Sequence, residues 1–183
     1  MKGDLSLLEV PDTIQGIIAS RMDRLGENLK RIMQVASVIG RGFAYRVLQT
    51  ITGQREELKS SLFNLQGLEF IYEKQLFPEL EYIFKHALIQ EVAYNSLLQK
   101  RRKEIHNKIG NAIEQIYIDR LGEFYEVLVH HYTKAENHDK ALSYLWASGL
   151  KAEKNQSYDE LIKIVSQMIK IRKLQPQSTE VKN

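Results

Sequence analysis

The chain has 183 residues, 43% hydrophobic and 27% charged, enough to bury the core of one medium domain or two small ones. A net charge of +3 is too weak a field to recruit nucleic acid by itself, and the absence of cysteine excludes disulfides and thiolate metal sites. No apolar run approaches the length of a membrane helix, and Met1-Lys2-Gly3-Asp4-Leu5 carries an early acid where a signal peptide is apolar, so the expected setting is cytoplasmic.

The first predicted helix opens at Val10-Pro11-Asp12-Thr13, where Asp12 or Thr13 can cap it, and Ile14, Ile17, Ile18 and Met22 follow at helical spacing. Gly26 is expected to end it. A second helix over 27–39 places Leu29, Ile32, Met33, Ala36 and Ile39 on one face. Gly40 and Gly42 break the chain, and two shorter helices are expected over 44–51 and 54–66, the latter presenting Leu58, Leu62 and Leu65. The period then changes: 68–73 and 81–85 read as paired strands, joined by an irregular connection that contains Pro78. Helices followed by a two-stranded wing form the layout of a winged-helix domain.

The rest is mainly α, with helices expected over 86–98, 100–117, 123–135, 139–154 and 158–173. Short polar turns at Glu136-Asn137-His138 and Asn155-Gln156-Ser157 make the last three antiparallel hairpins of the kind seen in tetratricopeptide (TPR) arrays, with Leu128, Tyr132, Ala141 and Leu145 at core positions. The reading is therefore a winged-helix domain over 1–120, the start of a TPR-like array over 121–175 and a frayed tail over 176–183. The boundary falls near Asp119-Arg120-Leu121-Gly122. An array needs about three repeats and this segment holds only about one and a half, so either the halves pack as one unit or the chain is part of something longer.

The stretch from Tyr82 to Tyr94 switches from strand to helix at His86. A helix leaves its first-turn N–H groups unpaired and partly positive, so an imidazole there can face an anion, and Lys85 would add to the attraction. The competing reading is a histidine that caps its helix or packs under the wing. Lys100, Arg101, Arg102 and Lys103 form a basic cluster that can meet nucleic acid or an acidic domain, or be a solvated helix face. Helix 54–66, the natural recognition helix, sets Arg55 and Lys59 against Glu56 and Glu57, which argues against DNA. His130 and His131 are adjacent, so they are expected on different faces and not as a metal pair. His106 is too distant in sequence to be joined to His86 without the fold. Arg21, Asp23 and Arg24 are expected to form a salt-bridge network, and Tyr132 and Trp146 to fill grooves between helices. No nucleophile, base and orienting group can be assembled, so no catalytic residue and no metal ligand is expected.

Three stretches carry a family resemblance: Val10 to Gln15, Arg21 to Leu25, and Gln34-Val35-Ala36-Ser37-Val38-Ile39-Gly40-Arg41-Gly42-Phe43. Phe84 to Tyr94, Arg101 to His106, His130-His131-Tyr132 and Asp139-Lys140-Ala141-Leu142 continue it. In that order they resemble a region of bacterial signal-transduction ATPases with numerous domains. The resemblance implies a winged-helix domain leading into TPR repeats, placed after a nucleotide-binding module. The parent would bind ATP or ADP and carry an adenylate or guanylate cyclase, kinase or DNA-binding domain. It implies that His86 contacts the diphosphate of ADP held by a separate domain, in cis or in trans, although Lys85 and Ala87 stand where the family motif has Met and Asp. The implied role is non-catalytic regulation, with a protein partner on the helical array and no cofactor held by this chain. No phosphate-binding Gly-x-x-x-x-Gly-Lys-[Ser/Thr] loop occurs here. The alternative is a stand-alone winged-helix transcriptional regulator that binds DNA.

Overall fold

The computed structural model describes residues 12–53, 56–76 and 78–174. The expectations for the tail over 176–183, for Val10-Pro11 and for Arg55 lie outside them, as do those for the side chains of Asp12 and Thr13. The chain divides into two compact units, the first ending at Gln99 and the second beginning at Lys100.

In the first unit, α1 (Asp12–Asp23) and α2 (Glu27–Ile39) precede β1 (Gly42–Ala44), α3 (Tyr45–Thr52) and α4 (Glu57–Gly67). Strands β2 (Ile71–Gln75) and β3 (Glu81–Phe84) follow, and α5 (Ala87–Asn95) closes it. The sheet has three antiparallel strands in the order β1-β3-β2, one more than the two expected. Gly42, Phe43 and Ala44 pair with Ile83, Tyr82 and Glu81, so β3 is the central strand. Gly40 makes this entry possible: its φ of 151° lies where a side chain is strained, and it turns the chain from α2 into β1. Gly26, expected to end α1, instead precedes α2 with extended angles.

The core of this unit follows the predicted stripes in part: Ile14 and Ile17 of α1 are exposed, and α2 also buries Val35, Ser37 and Val38. Met22, Ile32, Met33, Leu48, Leu58, Leu62 and Leu65 are buried together with Phe70, Phe84, Ile89 and Ala93. Burying each large apolar side chain contributes about 1.5–3 kcal/mol, which is why these positions set the fold. The ring of Phe43 stacks on Tyr82 at 5.8 Å and meets Phe84 at 5.7 Å, fixing β1 to β3. Gln90 Nε2 on α5 donates to the carbonyl of Ser37 on α2 at 2.7 Å. Asp23 pairs with Lys30 at 2.7 Å, whereas Arg21 donates to the Leu68 carbonyl and lies over the Phe70 ring. The expected network among Arg21, Asp23 and Arg24 is thus replaced by longer-range contacts.

The second unit contains α6 (Gln99–Ile116), a 3-10 segment at Ile118–Glu123, α7 (Tyr125–Lys134), α8 (His138–Lys154) and α9 (Tyr158–Leu174). The boundary expected near Asp119 falls inside this unit. The reason is packing: α6 presents Ile105, His106, Ile109, Gly110, Ala112 and Ile113 as its buried face, and its polar side chains bond to α7 and the turn after it. Gly110 is required by close approach, since a Cβ there would lie 2.5 Å from the Tyr132 ring. Both α7 and α8 end in the same way. Glu136 and Gln156 take left-handed φ values of 58° and 57°, and the next N–H reaches back to Tyr132 and Ala152 carbonyls at 2.9 Å. Trp146, expected in a groove, is 63% exposed, because the inward stripe of α8 runs through Ala141, Leu145 and Ala152.

Candidate functional site

His86 occupies the residue before α5, with extended angles of φ −132° and ψ 144°, and its side chain makes no capping hydrogen bond. Its carbonyl accepts the Ile89 N–H at 3.0 Å, which starts the helix, while the imidazole is exposed. The local cause is the chain switch itself. Phe84 and Lys85 are tied by backbone bonds to Arg41 and Phe70 carbonyls, so the next residue leaves the sheet pointing outward. The reading in which this histidine caps its own helix finds no hydrogen bond to support it.

Lys85 is placed differently from expectation. Its ammonium pairs with Glu69 at 3.0 Å and lies 5.5 Å from the Tyr72 ring centre. Tyr72 and Glu69 hold its pKa above the ordinary lysine value, and Glu69 is correspondingly held below the usual carboxylate range, by Lys85 first. The neighbouring cation is therefore already partnered, and His86 is the residue of the two that faces outward.

The basic cluster is largely compensated. Arg101 pairs with Glu104 at 2.8 Å and Lys103 with Glu136 at 2.6 Å, Arg102 is half-buried, and Lys100 is exposed. Such exposed pairs contribute little stability, but they lower the patch's usable field. On α4, Lys59 stands with Glu56 and Glu57, all exposed, alongside Phe63 at 74% exposure. That face is more apolar and acidic than a groove of phosphates would attract.

A group of three histidines lies elsewhere. One nitrogen from each of His106, His130 and His131 lies within 4.8 Å of the others. His106 and His131 are each 2% exposed, and His130 is exposed. The expectation that His130 and His131 do not pair is corrected: one is exposed and the other buried, yet their rings meet edge to face with centres 5.2 Å apart. His106 of α6 completes the triangle, with ring centres at 5.9 Å from His130 and 5.1 Å from His131. Burial pushes His106 down to about 4, helped by His130, Lys134 and Arg102, and pushes His131 down to about 3, helped by the other two histidines. His130 is lowered as well, by desolvation and by Lys134. Burial thus disfavours the protonated form of all three imidazoles. A reading of single helices misses this group. The signal within reach was His106 beside the predicted inward positions Ile105 and Ile109.

A second polar group crosses the same helices. Lys140 Nζ donates to Glu114 Oε2 at 2.7 Å and to the Tyr132 hydroxyl at 3.0 Å. The Tyr144 hydroxyl donates to Glu114 Oε1 at 2.7 Å, and the Tyr132 and Tyr144 rings stack at 5.9 Å. Burial alone would raise Glu114, but bonds from Lys140, Tyr144 and Tyr132 outweigh it and hold the carboxyl below its usual range. Burial and that carboxylate push both tyrosines well above the ordinary phenol value. The group ties α6, α7 and α8 together.

No family model matches the chain. Over 103 residues, 55% of its length, the chain is 26% identical to an uncharacterized protein of Rhizobium meliloti (strain 1021), of which the match covers 10%. The chain thus spans only a small part of that relative. Among the described residues no helix is long and apolar enough to cross a membrane.

Proposed function

We propose that this chain is a non-catalytic regulatory and interaction segment of a multidomain signalling ATPase, of the kind linked to adenylate or guanylate cyclases. The first unit would be a winged-helix domain. Its order of helices and strands, with β1 antiparallel to the central β3 and β2–β3 as the wing, supports that reading. The second unit would open a TPR-like array. Its support is the repeated helix ending at Glu136 and Gln156 and the packing of α8 against both α7 and α9.

The observation that carries the proposal is His86: exposed, uncapped, at the head of a nine-residue helix directly after the wing. An imidazole N–H and the free N–H groups of the first helical turn together suit a phosphate held from outside. In this reading the first unit docks on a nucleotide-binding domain, in cis or in trans, and His86 reaches the diphosphate of bound ADP. Contact in only one state of that domain shifts its population toward the closed, ADP-bound form. A protein partner on the array would act through the same equilibrium, by favouring the undocked state. Exposed Ile162, Val165 and Ile169 at helical spacing on α9 give such a partner an apolar face.

The test is ADP dissociation from the longest polypeptide that carries this region, compared between wild type and His86→Ala. Faster release from the variant supports the proposal, and an unchanged rate removes it.

A further inference from the structure

The histidine group of the second unit has a use that the proposed docking of the first unit does not require. At zinc–nitrogen distances of about 2.0–2.1 Å, two tetrahedral ligands stand roughly 3.4 Å apart. The His106 and His131 Nδ1 atoms, at 2.9 Å, lie slightly inside that spacing, and the widest nitrogen separation in the group, up to 4.8 Å, lies outside it. Closing the set needs small shifts of the buried pair and a turn of the exposed His130 ring. From this arrangement we infer that His106, His130 and His131 form a binding site for a divalent transition-metal ion, with Zn2+ as the reference case.

The donor set selects the metal. Three neutral imidazoles without a carboxylate suit zinc, nickel or copper and offer nothing to magnesium or calcium, which take oxygen ligands. Arg102 and Lys134 add positive charge near His106, so an ion is held by bonds to nitrogen and not by the surrounding field. Access from solvent is through His130, which lines a groove of about 590 Å³ together with Val129, Thr133, Leu145 and Ile164. Thr133 Oγ1 is buried on that groove with no hydrogen-bond partner among the described residues.

The protons balance without an added reactant. Without an ion, one Nδ1–H of the His106–His131 pair donates to the other Nδ1. A bound ion takes a lone pair from each, and the displaced proton moves to Nε2 of its own ring, so both stay neutral. The ion then ties α6 to α7 and stabilises the second unit.

The experiment uses untagged, chelator-treated protein at neutral pH. Co2+ is titrated by visible absorption, and thermal melts are recorded with and without Zn2+. The expected result is intense ligand-field absorption that saturates at one Co2+ per chain, and a melting temperature raised by Zn2+ and restored by chelator. His130→Ala, at an exposed position, should melt like the wild type without metal and bind at least about tenfold more weakly. His86→Ala should bind normally, which separates this site from the docking proposal. No saturable Co2+ absorption and no Zn2+ effect on melting, or wild-type affinity in His130→Ala, overturns the inference.

Discussion

The Nδ1 atoms of His106 and His131 face each other across 2.9 Å, with both residues only 2% exposed. One of the two must donate and the other accept, so the pair is a buried hydrogen bond between α6 and α7. Replacing one partner leaves the other's nitrogen desolvated. His106→Leu should therefore cost about 1–3 kcal/mol in chelator-treated protein. The double variant His106→Leu/His131→Leu should lose less than the sum of the single losses. A urea-denaturation double-mutant cycle measures the coupling, and strict additivity would mean the two rings do not interact.

Gly110 is set against the fully buried Tyr132 ring, which is also held by Asn111 and Lys140. Gly110→Ala gains up to about 1 kcal/mol of helix propensity. Overpacking a ring that cannot retreat costs about 1–3 kcal/mol. The expected net effect is a loss on the order of 1 kcal/mol, read as a lower urea midpoint at unchanged slope. A more stable variant would show that Tyr132 has room to move.

Glu114 supplies a pH dependence of defined sign. Its folded pKa lies below the unfolded value, so its contribution is complete above about 4.5 and is lost as pH falls through the folded value. His106 and His131, lowered by burial, destabilise the fold in acid as well, because the unfolded chain takes up their protons first below about 6.5. Only the difference between wild type and Glu114→Gln belongs to the carboxylate. The variant should be less stable at pH 7 and lose less on going to pH 3, measured by urea unfolding at both pH values.

DNA binding is expected to be absent. Arg101 and Lys103 are paired with acids, and Glu56 and Glu57 stand with Lys59 at the start of α4. An electrophoretic shift assay at low and moderate salt should show no complex. A complex that weakens steeply with salt would favour the DNA-binding regulator instead.

Much of this architecture was legible in residue spacing. The stripes of α4 and α6 were readable because each buries one face, and Leu58, Leu62 and Leu65 are all in the core, whereas α2 buries Val35 to Val38 all round. Strand β1 was not readable. Gly42-Phe43-Ala44 is too short for a period, and its pairing comes from Tyr82 and Ile83 across the fold. The expected boundary at Asp119 rested on a local break at Gly122, whereas unit membership is decided by what the buried face of α6 meets. The place of His86 at the head of α5 was legible because a helix start is a local event with a fixed polarity. The histidine group was missed because its members come from two helices, and the rule that adjacent residues face apart describes only one. Lys85 was read as a free cation, and its partner, Glu69, is set by the left-handed turn before β2.

The most direct test of the regulatory reading is the rate of ADP release from the longest polypeptide containing this region. A charge-assisted bond to phosphate is worth about 1.5–3 kcal/mol, so His86→Ala should release ADP roughly ten- to a hundredfold faster. Because the side chain is exposed and uncapped, unfolding of this chain should change by no more than about 0.5 kcal/mol in the same variant. Faster release with unchanged folding is the predicted result. Wild-type release from a stably folded His86→Ala protein would contradict it.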